Sequence, residues 1–167
     1  MAVNIAAAQL KVAEFPSLVR QMLEEHGLLP RDIEIELTEN ILLHKDGGRI
    51  SEALQTFRAM GFSIALDDFG TGYASLSHLS RFPVDRLKID RSFVRDMCDD
   101  AAAYTIVKAT IGLAHSLDMA VVAEGIETED QLVRLRSCEC DYGQGYLVSK
   151  PLDPACLPAF LSTTVPK

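Results

Sequence analysis

Apolar and polar positions along this chain switch repeatedly between a period of two and a period of 3.6. Residues 33–38 (I-E-I-E-L-T) alternate strictly, and 62–66, 86–90 and 120–124 are short strand-type runs that end in, or run straight into, an acid. Between them lie helical stripes. Phe15, Leu18, Val19, Met22 and Leu23 predict a helix stopped by Gly27, and Ile50, Ala53, Leu54 and Phe57 predict another stopped near Gly61. Ile106, Val107, Thr110, Ile111, Ala114 and Leu117 form the expected buried stripe of a helix over 104–117. Residues 3–5 read as a short strand and 74–79 as a short helix. Thr128-Glu129-Asp130-Gln131 reads as a capping box that opens a further helix. A last strand is expected within 141–149. Pro151, Pro154 and Pro158 then break up the tail, leaving room for one short helix.

Strand–helix alternation at about 30 residues per unit predicts a parallel sheet with helices outside it. An open doubly wound sheet and a (β/α)8 barrel both meet that description, and strand phase separates them. Ile33, Ile35 and Leu37 oppose Glu34 and Glu36; Phe62, Ile64 and Leu66 oppose Ser63, Ala65 and Asp67; Leu87 and Ile89 oppose Arg86, Lys88 and Asp90. Val121 and Ala123 oppose Ala120, Val122 and Glu124, and Asn4 opposes Val3 and Ile5. One face is bulky and apolar, the other small or polar. A doubly wound sheet is covered on both sides and would be apolar on both. A polar inner face fits an α/β barrel of TIM type, with a site at the C-terminal ends of its strands.

The chemistry sits on that polar face. Asp67 and Asp68 are adjacent like charges at a strand end. Alone, such a pair is ordinarily a helix cap beside a solvated acid. Here Glu36, Glu124 and Asn4 share the phase of Asp67, and Lys88 is the cation among them; taken singly, Lys88 reads equally well as a barrel-lining lysine paired with Asp90 or Glu34. Oxygen donors of this kind select hard cations such as Mg2+ or Mn2+. Two ions sharing adjacent aspartates suit phosphodiester hydrolysis. The histidines, His26, His44, His78 and His115, fall out of phase with the site.

The bulk properties narrow the partners. The chain has 167 residues and a net charge of −8, which argues against a broad basic surface for DNA, RNA or an anionic membrane. Cys98, Cys138, Cys140 and Cys156 have neither zinc-finger spacing nor a disulfide framework and are expected reduced. No leader pattern or membrane-length apolar run is seen, so a cytoplasmic setting is the expectation.

The motifs E-L-T-E at 36–39, D-D-F-G-T-G-Y-A-S-L at 67–76, K-I-D-R-S-F-V at 88–94, A-E-G-I-E at 123–127 and G-Q-G-Y at 143–146 resemble, in order and spacing, those of the EAL domain family of bacterial cyclic di-GMP phosphodiesterases. The resemblance implies two-metal hydrolysis of cyclic di-GMP to linear pGpG. It implies Asn4, Glu36 and Asp67 at one metal, with Asp67 bridging to a second and Asp68 as a further ligand. Glu124 would lie at the second metal and the attacking water, Lys88 would position that water, and Gln144 would support the site. Glu39 would steady the loop after Asp68, which in this family helps form a dimer contact, so a homodimer is expected. Asp90 and Glu127 are further candidates. The chain departs from the pattern at its front: the first strand bearing Glu-Ala-Leu and the helices after it are missing, and N-x-S-x-x-Q appears at 4–9 with Ala6 for serine. The expectation is therefore a single EAL-type domain over 1–167, incomplete at its N-terminal side and slow as an isolated monomer. An impaired module that binds cyclic di-GMP or a protein partner is the alternative.

Overall fold

In a computed structural model, which describes residues 1–70, 79 and 81–162, six parallel strands form one sheet: β1 (Ala2–Asn4), β2 (Glu34–Thr38), β3 (Ser63–Phe69), β4 (Arg86–Ile89), β5 (Ala120–Ala123) and β6 (Tyr142–Gly143). Their order in the sheet is their order in the chain. A doubly wound sheet reverses at a switch point; unbroken sequential winding is the path of a barrel wall. The short helix expected over 74–79 lies outside the described residues, apart from the buried Leu79.

Helices connect the strands: α1 (Ala7–Leu10) and α2 (Phe15–Glu25) follow β1, α3 (Gly47–Ala59) follows β2, and α4 (Arg91–Asp96) and α5 (Ala101–Ser116) follow β4. Then come α6 (Glu129–Ser137) after β5 and α7 (Leu157–Ser162) near the end. Ile35, Leu37, Ile64, Leu66, Leu87, Ile89, Val121 and Ala123, the apolar phase of the strands, join Ile50, Leu54 and Phe57 of α3 and Val107 and Ile111 of α5 in one core. Each such side chain contributes about 1.5–3 kcal/mol through burial. Phe57 is the hub at one side, edge-to-face with both Phe15 and Phe62 at 5.9 and 5.1 Å. Gly61, at φ 98°, then turns the chain from α3 into β3.

The helical stripes are narrower than the sequence pattern predicts. On α2, Phe15, Val19 and Leu23 pack on the core, while Leu18 and Met22 are exposed. On α5, Val107, Ile111 and Ala114 are buried, but Ile106 and Leu117 are exposed. Each of these helices meets the core along one line, so apolar residues at the margin of a wide stripe stay outside it. The last strand is also shorter than expected. Only Tyr142 and Gly143 pair with β5, because the chain then bends back over Ile126: Ile126 N–H donates to Gln144 O (3.1 Å) and Leu147 N–H to Ile126 O (2.9 Å). The capping box at α6 forms as predicted. Thr128 Oγ1 accepts from Gln131 N–H (3.3 Å), and the nearly buried Gln131 Oε1 accepts from Thr128 N–H (3.0 Å).

Asp141 ties β5 to the residues before β6. Its carboxylate accepts from Val121 N–H and pairs with the His115 imidazole, both at 2.8 Å. Burial works to raise the Asp141 pKa, but those two bonds outweigh it and hold the value below the ordinary one. A depressed acid stabilises the fold above its unfolded pKa, near 3.9, and the stabilisation is lost as pH falls through the lower folded value. Urea midpoints measured from pH 2 to 6 should therefore fall on acidification below about 4. Asp141→Asn should lower the midpoint at pH 6 and flatten that acid limb; an unchanged limb would remove Asp141 from the account.

Candidate active site

The inward phase of the strands converges on one ammonium. Lys88 Nζ, on β4 and almost fully buried, donates to Glu36 Oε1 at 2.6 Å and lies 2.7 Å from Glu124 Oε1 and 3.1 Å from Asp67 Oδ1. The reach from β4 to β2 passes across β3 where Ala65 supplies no bulk; Glu36 pairs in register with Ala65. Burial works to lower the Lys88 pKa. Hydrogen bonds to Glu124, Glu36 and Asp67 overcome it, so the ammonium is held well above the usual lysine range. Lys88 pairs with neither Asp90 nor Glu34, the partners of the alternative reading, but with the acids that share its phase. Asp90 instead caps α4, accepting from Ser92 N–H (2.9 Å) and Ser92 Oγ–H, and Glu34 is taken by Arg86.

Asp67 and Asp68 stand differently from the simple strand-end picture. The strand runs through both to Phe69, and its register with β4 shifts between Leu66 and Phe69. Neighbouring side chains on a regular strand point to opposite faces. The irregularity, with Asp68 at φ 55°, turns the second aspartate toward the first. As a result, carboxylate oxygens of Asp67, Asp68 and Glu124 lie within 4.8 Å of one another. Burial raises the Asp68 pKa, and the nearby charges of Asp67 and Asp90 add to the rise. Burial likewise raises Glu124, against the pull of Lys88. Three acids held this close, at a cost to two of them, form a donor set of oxygen alone that fits a hard divalent cation.

The other candidates extend the cluster to either side. Asn4 Nδ2 donates to Glu36 Oε2 (3.3 Å), and Gln144 Nε2 donates to Glu124 Oε1 (2.8 Å). Asn4 and Glu36 thus join the cluster through Lys88, outside the set formed by Asp67, Asp68 and Glu124. Glu39, buried at the start of a 3-10 turn, accepts from Gly70 N–H at 3.0 Å, directly at the end of β3. The loop residues beyond Gly70 lie outside the described residues. Glu127 is exposed and lines a cleft of about 440 Å³ with Glu124, Arg91, Gln144, Tyr146 and Lys150. Arg91 and Lys150, the cations of that cleft, were not singled out from sequence. Arg91 falls within a motif, but nothing in its spacing marks it as facing Glu124.

Comparison with known proteins places this geometry in context. A family model described as the EAL domain matches residues 1–151. Cyclic di-GMP phosphodiesterase NbdA of Pseudomonas aeruginosa is 44% identical over 161 residues, covering 96% of this chain and 20% of that protein. The crystal structure of the EAL domain of Mycobacterium smegmatis DcpA superposes with a TM-score of 0.91 at 36% identity, covering 99% of this chain and 74% of that one. A complex of Klebsiella pneumoniae BlrP1 with manganese and cyclic di-GMP gives a TM-score of 0.82 at 32% identity, over 90% of this chain and 38% of that one. The chain thus spans about a fifth of the length of NbdA.

Proposed function

This chain belongs to the EAL domain family, and we propose that it is the metal-dependent phosphodiesterase part of a protein that hydrolyses cyclic di-GMP to linear pGpG. The observation that carries the reading is the Lys88 ammonium, gripped by Glu36, Asp67 and Glu124 beside the Asp67–Asp68–Glu124 oxygen set. Asp67 and Asp68 would hold Mg2+ or Mn2+, with Asn4 and Glu36 completing the donors on the β1 side. Two such ions, when bound, supply acidification of a water and neutralisation of phosphate charge. Glu124, its pKa raised by burial, accepts the proton of the attacking water. Gln144 keeps the Glu124 carboxylate turned inward, Lys88 would take the water or a phosphate oxygen in exchange for one of its three carboxylates, and Glu39 fixes the end of β3 through Gly70. Asp90 acts by capping α4, and Glu127 faces the ligand cleft.

The domain reading is that 1–167 is one EAL-type unit whose barrel wall is completed by further strands. β1 and β6 each pair with a single neighbour among the described residues, and about a quarter of the related DcpA chain lies outside the match. A homodimer and a cytoplasmic setting belong to the same reading. Four free cysteines and the absence, among the described residues, of a helix long and apolar enough to cross a membrane accord with it.

The test separates catalysis from binding. Glu124→Gln should lower kcat for cyclic di-GMP with Mg2+ or Mn2+ by about 10²–10⁴-fold, while affinity for the dinucleotide measured with Ca2+ changes little. Full turnover in the variant would remove Glu124 as the base. Binding without turnover in the unaltered protein would favour a ligand-sensing module instead.

A further inference from the structure

Two glycines with positive φ follow the clustered acids: Gly70 (φ 100°), two residues after Asp68, and Gly125 (φ 70°), directly after Glu124. The first turn of α4 packs against both. A Cβ at Gly70 would lie 2.9 Å from Phe93 Cε2 and 3.3 Å from Phe93 Cζ, and one at Gly125 would lie 2.6 Å from Arg91 Cβ. Only a glycine backbone can come that near. Asp90 fixes the turn by accepting from Ser92 N–H (2.9 Å). Since β4 pairs with β3 on one side and β5 on the other, the start of α4 stands between the strand ends that carry the acids. The hydrolytic reading gives Phe93 no part.

What Phe93 presses on matters because of the irregularity beside it. Leu66 pairs with Leu87, and Phe69 pairs with Ile89. Between those pairs β3 has two residues, Asp67 and Asp68, where β4 has only Lys88. This is the count of a bulge. A slip of one residue would restore regular alternation and send Asp68 to the face opposite Asp67. Asp68 at φ 55° persists only where its surroundings over-determine it. Two contacts bear on Gly70 from either side. Glu39, just after β2, accepts its N–H (3.0 Å), and the Phe93 ring, just after β4, closes on its Cα. We infer that Phe93 is a positioning residue: its ring edge pins Gly70 and so holds the bulge that turns Asp68 onto Asp67 and Glu124. This rests on the metal-dependent reading for its effect on cation binding, though not for the geometry itself.

Phe93→Leu is the variant of choice, because leucine keeps the apolar branches as far as the ring Cδ atoms but lacks Cε2 and Cζ. Mn2+ affinity is measured by calorimetry for the unaltered protein and Phe93→Leu, each with and without Asp68→Asn or Asp67→Asn. Phe93→Leu should weaken binding by about tenfold. Asp68→Asn should cost about tenfold in the unaltered protein but less than about threefold in Phe93→Leu, where Asp68 has already turned away. Asp67→Asn, on the regular part of the strand, should cost the same in both. An equal cost of Asp68→Asn in the two backgrounds would overturn the inference. So would a fall in the cost of both aspartate changes together, the mark of a general loosening. A metal-free crystal structure of Phe93→Leu gives the second readout. The Asp68 and Glu124 carboxylates should lie farther apart than the 4.8 Å that bounds them here, and their staying within it would also overturn the inference. Absence of Mn2+ binding by the unaltered protein would count against the metal-dependent reading alone, since the metal-free structure still decides this one.

Discussion

Lys88→Met is expected to destabilise the fold by about 3–5 kcal/mol, the usual cost of removing one partner from a buried ionic network. The methionine fills most of the space, so packing is a small part of the loss. The larger part is electrostatic: Glu36, Asp67 and Glu124 would remain inside the wall as carboxylates with no ammonium among them. They can relieve the repulsion by taking up protons, so the variant should gain more stability than the unaltered protein as pH falls from 8 to 5. The sign for Lys88 itself follows from its raised pKa. Its contribution is fully present below the unfolded lysine value near 10.4 and is lost only as pH rises through the still higher folded value. Lysine titration therefore plays no part at neutral pH. Urea denaturation at pH 5 and pH 8 checks both claims. Equal stability of the two proteins at pH 8 would show that the ammonium is not what holds the acids together.

Gly145→Ala is the second large expected effect. A Cβ at Gly145 would lie 2.2 Å from both the N and the O of Ile126, backbone atoms that no rotamer change can move aside. The backbone of residues 144–147 is laid directly on Ile126 by hydrogen bonds from both sides. Separating them would break that docking. A cost of more than about 3 kcal/mol is expected, beyond the usual range for one extra methyl group in a core. The site should suffer in proportion, because Gln144 reaches Glu124 from the same segment. Hydrogen exchange should show residues 144–148 opening in the variant while β2 and β3 stay protected. Unaltered protection at Leu147 N–H would contradict this account of the close approach.

The barrel winding was legible because its strands carry two unlike faces. Glu36, Asp67, Lys88 and Glu124 share a phase that a sheet covered on both sides could not tolerate, and they do meet. Asp68 was less legible. Its turn toward Asp67 depends on a register shift between strands that are far apart in sequence. Ion-pair partners were the least legible part. Lys88, Arg86, Glu34 and Asp90 all lie on one face, and phase alone allows several pairings among them. The choice comes from depth along the strand and from Ser92, whose backbone draws Asp90 into a cap. Stripe width failed for a related reason: Leu18, Met22, Ile106 and Leu117 continue an apolar pattern past the line where each helix meets the core.

The central claim is that Asp67 and Asp68, gathered with Glu124 beside Lys88, hold divalent cations. Calorimetric titration with Mn2+ tests it most directly, with the unaltered protein compared against Asp67→Asn. The account predicts saturable Mn2+ binding that weakens at least tenfold when Asp67 loses its charge, with no loss of folded protein. Mn2+ binding of equal strength in the two proteins would contradict it.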